Sequence, residues 1–382
     1  MDFLSFFLIL LASVLFSVAF RTFHLPWVLA LIAAGVAVGP SGFGLVAINE
    51  TMSFIGEVGL ILLMFMAGLE TKLSSFKAFR HDIVILAGLN GLVPLLIGIG
   101  IGLLFGFDLT AALLLGIIFM SSSIAVIVPT LESTGIITRK LGRTIVSSTI
   151  LVDVASLIAL SVLLQTVTAT SPLPLYSLYP ILAIILIAFY FGLPKLRALV
   201  PHRRDEQDLF ESEVRIIVLM LIGVVVTFEL LGLHPIIAGF FTGLVLSDSI
   251  TSDIIIEKLR TISYGIFIPV FFVIVGMQTD ISVLSQGAGE LGLIGAIVLG
   301  SMLAKFGSGW VAARLTQHRV RESLIFGFAT IPQLSTTLAV VFTAVELDLV
   351  PADLITAMVF LSVTTTLVAP VALRALIVPA ER

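Results

Sequence analysis

About thirteen apolar runs, each long enough or nearly long enough to span a bilayer, dictate the class of this chain. They fall near residues 3–20, 25–39, 53–69, 83–105, 110–131, 142–165, 177–193, 214–231, 235–247, 259–276, 290–313, 323–345 and 353–376. A spanning helix needs ~20 apolar residues at ~1.5 Å each. Hydrophobic residues make up 59% of the 382 and charged residues 12%, about half the ~25% usual in a soluble protein. The sequence therefore predicts an all-α polytopic membrane protein, because a helix satisfies its own backbone in lipid. The second and ninth runs are short and open near Pro26 and Pro235, as tilted spans would. The first run carries Asp2 where a signal peptide is basic, and no small-x-small cleavage site follows it, so it is expected to stay as a helix. Cysteine is absent, which excludes disulfides and thiolate metal sites.

The basic residues test this division. Arg21 follows the first run; Lys72, Lys77 and Arg80 follow the third; Arg139, Lys140 and Arg143 follow the fifth. Lys195, Arg197, Arg203, Arg204 and Arg215 surround the connection after the seventh, and Lys258 and Arg260 follow the ninth. Arg314, Arg319 and Arg321 follow the eleventh, and Arg374 and Arg382 close the chain. The intervening connections (40–52, 106–109, 166–176, 232–234, 277–289 and 346–352) hold no Lys or Arg. The positive-inside rule then puts the N-terminus outside and the C-terminus in the cytoplasm, in the plasma membrane of a bacterium. Of the 20 basic residues, Lys305 alone breaks the alternation.

Lys305 lies centrally in its run, and Asp153 lies about ten residues into the sixth, ~15 Å deep at ~1.5 Å per residue. An ionisable group at that depth costs at least ~2.5–3.5 kcal/mol, so each marks a wet cavity, a partner or a transport site. A deep carboxylate can bind Na⁺, K⁺ or H⁺ in competition, which suffices for exchange. Thr149 (i−4) and Ser156 (i+3) share the helical face of Asp153 and bring hydroxyls to a partly dehydrated cation. Lys305 is either an ion-pair partner or a group that itself gains and loses a proton.

Two runs carry helix-breaking centres. The fifth contains Ser121, Ser122, Ser123, Pro129 and Thr130; the twelfth contains Thr330, Pro332, Gln333, Ser335, Thr336 and Thr337. They are seven runs apart, so they traverse the bilayer in opposite directions. Interrupted helices at matching places in two inverted halves point to a transport site near the midplane. Thr364, Thr365 and Thr366 in the thirteenth run stand at about the depth of Asp153 in the sixth, its mate. Ser122, Ser123, Thr130, Gln333 and Thr336 are supporting candidates, although a lone hydroxyl in a membrane helix usually bonds back to its own backbone. Glu57 and Glu229, near outer ends of their runs, are candidate entrance residues.

Other chemistries fit poorly. An intramembrane aspartyl protease needs two deep acids, and only Asp153 qualifies. No Gly-x-Ser-x-Gly, Walker or His-Glu-x-x-His pattern occurs, so no enzyme activity is expected. The basic connections are explained by topology, so no nucleic-acid partner is expected.

The stretches Glu57–Leu73 and Ile268–Met277, with the Asp153 and Lys305 runs, resemble the cation:proton antiporter superfamily, most closely its second branch of bacterial sodium/proton antiporters and potassium/proton efflux systems. That resemblance implies an inverted repeat with two crossing interrupted helices and a single membrane transport domain over 1–382. It also implies a moving core (about 83–165 and 290–376), a dimer-forming scaffold (about 1–82 and 214–276), a linker helix (about 177–193) and no cofactor. Asp153 matches the ion-binding acid. Electrogenic members carry a second acid before it that pairs with the lysine; here that position is Val152. Lys305 is thus left without its usual partner, and electroneutral 1:1 exchange is expected. The resulting expectation is a homodimeric monovalent cation/proton antiporter, Na⁺/H⁺ first and K⁺/H⁺ second. A cation channel or a Na⁺-coupled organic-anion symporter of the same architecture is the alternative of another class.

Overall fold

A computed structural model of the chain describes residues 2–22, 26–71, 81–167, 212–250, 252–280, 288–347 and 349–377, with scattered positions between 180 and 195 and residue 282. Lys72, Lys77, Arg80, Arg197, Arg203, Arg204, Arg382 and about half of the expected linker helix at 177–193 lie outside the described residues. The main elements are helices: α1 (Asp2–Thr22), α2 (Trp27–Val38), α3 (Glu50–Glu70), α4 (His81–Leu104), α5 (Leu109–Met120), α6 (Ile124–Ser133) and α7 (Lys140–Val167). Then follow α8 (Ser212–Leu230), α9 (Pro235–Leu246), α10 (Asp253–Met277), α11 (Ala288–Leu315), α12 (Val320–Ala329), α13 (Ser335–Glu346) and α14 (Ala352–Ile377).

Seven helices among the described residues are long and apolar enough to cross a membrane: α1, α3, α4, α7, α10, α11 over Leu291–Leu315, and α14 over Leu354–Ile377. The protein is an integral membrane protein of several spans. Phe3, Phe7, Val14, Leu15 and Val18 leave one side of α1 openly apolar, as suits a surface whose solvent is lipid.

The helices form two compact units, Met1–Phe54 with Phe79–Leu163 and Pro269–Arg382, and Ile55–Ala78 with Leu164–Ile268. In the first, α4 packs on α5 and α11, and α11 also packs on α12 and α14. Leu86, Ile127, Leu131, Ile145, Phe326 and Leu373 form an apolar core joining α4, α6, α7, α12 and α14. In the second, α8 packs on α9, and Arg260 pairs with Glu70 at 3.2 Å.

Two local differences from the sequence reading have physical causes. The fifth run is interrupted at Ser121–Ser123, whereas Pro129 lies inside α6. Pro94 and Pro370 likewise sit within intact helices. Proline removes one donor and crowds one turn, which a packed membrane helix absorbs. In the twelfth run the helix stops at Ala329 and resumes at Ser335, so here Pro332 does lie in the break. Finally, Lys258 and Arg260 lie within α10 rather than before it. The first turns of α10 are amphipathic, with Ile255 and Leu259 (i, i+4) buried and the charged residues outward.

Candidate functional site

Breaking a helix inside a bilayer strands backbone groups that water cannot reach, so each needs a partner from the protein. At the first break the stranded carbonyls end α5. The Gln333 amide (Nε2) donates to the carbonyls of Ile118 (3.0 Å), Phe119 (3.0 Å) and Ser121 (3.1 Å). The fourth carbonyl, Met120, receives the Lys305 ammonium at 2.8 Å. The amide hydrogens released on the other side of the break go elsewhere: Ser122 N–H to Asp153 Oδ1 (3.0 Å) and Ser123 N–H to the Pro332 carbonyl (2.6 Å).

The second break is satisfied reciprocally. Ser122 Oγ donates to the Thr330 carbonyl (3.1 Å), and Ser121 and Thr337 hydroxyls share a bond of 2.9 Å. Gln333 N–H donates to Thr365 Oγ1 (3.2 Å) on α14, and Ser301 Oγ on α11 donates to Gln333 Oε1 (2.8 Å). The two interruptions therefore complete each other. All of these groups belong to the first unit.

The two deep charges take opposite helix ends. A helix presents partial negative charge at its C-terminus and partial positive charge at its N-terminus. Lys305, fully buried on α11, sets its cation at the C-terminus of α5. Asp153, 6% exposed on α7, takes the N–H of Ser122 just before α6 begins. Lys305 Nζ is also held by Asn90 Oδ1 (3.1 Å) and the Asn90 carbonyl (3.3 Å) on α4. No ion pair joins Lys305 and Asp153 among the described residues. Val152 packs with Ala87 and Met120 in a small apolar cluster beside Asn90 and Lys305.

The remaining sequence candidates divide. Ser122 and Gln333 join Asp153 and Lys305 at the breaks, with Gln333 wholly engaged as a staple. Thr149 and Ser123 are buried and their hydroxyls have no partner among the described residues. Thr336 is buried on the first turn of α13. Ser156 bonds back to the Asp153 carbonyl (2.8 Å), and Thr130 to the Val126 carbonyl (3.1 Å), each within its own helix. Glu57, half-buried on α3, and Glu229, exposed at the end of α8, lie in the second unit. Asn90, Ser301, Ser308 and Thr365 are polar residues at the site beyond those candidates. Asn90 carried a usable signal: a carboxamide some ten residues into an apolar helix, four before Pro94, whose missing N–H cannot serve the Asn90 carbonyl.

The chain is similar to known proteins over nearly its whole length. The family model described as sodium/hydrogen exchanger, transmembrane, matches residues 6–378. A Methanocaldococcus jannaschii protein named "Probable Na(+)/H(+) antiporter 3" is 29% identical, over 97% of this chain and 95% of its own length. The Na(+)/H(+)-K(+) antiporter GerN of Bacillus cereus is 28% identical, over 90% of this chain and 88% of its own. The solved structure of the sodium proton antiporter MjNhaP1 from Methanocaldococcus jannaschii shares the fold with a TM-score of 0.66 at 17% identity, covering 96% of this chain and 94% of that one.

Proposed function

We propose, from the premise that this chain belongs to the sodium/hydrogen exchanger family, that Asp153 is the site at which its cation and its proton are exchanged. The protein is a transporter, not an enzyme, and moves a monovalent cation against protons across a lipid bilayer. The observation that carries the site reading is the state of the Asp153 carboxylate: buried, fixed at one oxygen by Ser122 N–H, and bonded to no cation among the described residues. The unpartnered hydroxyls of Thr149, one turn earlier on α7, and of Ser123 add neutral oxygens where a dehydrated Na⁺ or K⁺ needs them. A carboxylate with one fixed oxygen takes either the metal ion or the proton, and the two compete.

Sodium is the principal cargo, and potassium is the second, favoured by the likeness to the Na(+)/H(+)-K(+) antiporter GerN of Bacillus cereus. The chain falls in the second branch of the superfamily, with thirteen spans, N-terminus outside and C-terminus cytoplasmic in a bacterial plasma membrane. The interruptions at Ser121–Ser123 and Thr330–Leu334 are the crossing centres of an inverted repeat. The core at about 83–165 and 290–376 carries the ion past a dimer-forming scaffold at about 1–82 and 214–276. Val152, apolar and buried beside Met120, leaves a single exchangeable acid, which favours electroneutral 1:1 exchange.

The deciding experiment is cation-driven dissipation of a pH gradient in proteoliposomes. Asp153→Asn is expected to lose exchange by about a hundredfold or more, as removal of an essential binding charge should. Undiminished exchange in that variant would sink the reading of the site. Rates that respond steeply to an imposed membrane potential would sink the 1:1 stoichiometry.

A further inference from the structure

Among the described residues, the ammonium of Lys305 is hydrogen-bonded without help from any carboxylate. Its three acceptors are the Met120 carbonyl, the Asn90 carbonyl and Asn90 Oδ1. Two of the three belong to one residue, and both are made available by sequence. Pro94, four residues on, cannot donate to the Asn90 carbonyl in the way a helix normally would. The Asn90 amide orientation is fixed by its surroundings, because its oxygen faces a cation while its nitrogen faces acceptors. Nδ2 lies 2.9 Å from the Lys305 carbonyl, 3.0 Å from Ser308 Oγ and 3.2 Å from Thr330 Oγ1. Turning the amide over would set a donor against the ammonium. Asn90, 2% exposed, thus holds Lys305 at both the head and the backbone and ties it to the second break.

We propose that Asn90 is the positioning residue of this site: its carboxamide seats the Lys305 ammonium on the end of α5, which leaves the Asp153 carboxylate free for cargo. This rests on the reading of Asp153 given above. Two neighbours support it. Gly309 has no Cβ, and one placed there would lie 2.9 Å from Thr330 Oγ1 and 3.1 Å from Asn90 Nδ2, so glycine is what lets the carboxamide reach α11. Val152 presents no acid to compete for the ammonium. Among the described residues, Asp153 on α7 is the titratable group that bears on Lys305. The helices packed on α11 carry their ionisable groups near their ends: His81 and Asp82 on α4, Arg321 and Glu322 on α12, Arg374 on α14, with Asp108 capping α5.

The test compares wild type, Asn90→Leu, Asn90→Asp and Asp153→Asn in proteoliposomes, following cation-driven pH-gradient dissipation from mildly acidic to mildly alkaline pH. Asn90→Leu removes the seat and is expected to lower exchange about tenfold at every pH. Asn90→Asp keeps the shape and adds a negative charge in contact with the ammonium, while giving up the donor that faces the Lys305 carbonyl. It is expected to stay within about threefold of wild type at its optimum, with the pH profile displaced by about one unit to the alkaline side. A profile for folded Asn90→Asp that superimposes on wild type, or a folded Asn90→Asp silent at all pH values, overturns the proposal, as does wild-type exchange by Asn90→Leu. Should Asn90→Leu fail to fold, the near-isosteric Asn90→Asp decides alone, with folding checked by its melting in detergent. Exchange surviving in Asp153→Asn would instead remove the reading on which the proposal rests.

Discussion

Lys305 and Asp153 are buried to nearly the same degree in one unit, yet their surroundings are unlike. The ammonium has three oxygen acceptors. Among the described residues the carboxylate has a single N–H donor, from Ser122, and the hydroxyls of Ser123, next along the chain, and of Thr149, one turn earlier on α7, have no partner. A buried charge that is fully hydrogen-bonded serves as structure, because moving it would strand its acceptors. A buried charge that is incompletely bonded calls for an explanation. On the function proposed above the two divide the work: one charge holds the broken helix together, and the other is kept ready for an ion.

The comparison predicts that variants at the lysine affect stability and variants around the aspartate affect affinity. The largest stability effect is expected from Lys305→Met, which strands Asn90 Oδ1 and the Met120 carbonyl in the interior. A loss on the order of 3 kcal/mol would follow, read as a lower melting temperature in detergent. A Lys305→Met protein as stable as wild type would erase the distinction. Gly309→Ala comes next. Its methyl would press on Thr330 Oγ1 and Asn90 Nδ2, costing about 1–3 kcal/mol without altering any charge. Thr149→Val should have the smallest stability effect, because the hydroxyl it removes has no partner to lose. It should instead raise the cation KM by about three- to tenfold, the worth of one neutral oxygen, at roughly unchanged maximal rate. A Thr149→Val protein with wild-type KM would take that hydroxyl out of the ion's path.

Much of this was legible in the sequence. The apolar runs identified a polytopic membrane protein, and depth alone singled out Asp153 and Lys305 from the other charged residues. The partnership of the breaks was harder to read, because it lies in backbone groups and in neutral side chains. Pro129 looked like a helix breaker and is not, whereas the three serines before it are where the chain departs from the helix. Serine has no strong local signature in a membrane helix; here the extended backbone is held by Gln333, Pro332 and Asp153 from distant parts of the chain. Asn90 escaped notice because a neutral amide costs less to bury than a charge. Its significance comes from residues more than two hundred positions away.

The hydrogen bonds between the two interruptions restrict how the unit can change shape. Separating α5 and α6 from α12 and α13 would require releasing Ser123 from Pro332, Ser122 from Thr330, and Gln333 from three carbonyls together. Such a seam does not open one bond at a time. If Asp153 exchanges its cargo as proposed, the stitched helices that hold it would travel as one piece, and the seam between the interruptions would be carried rather than opened.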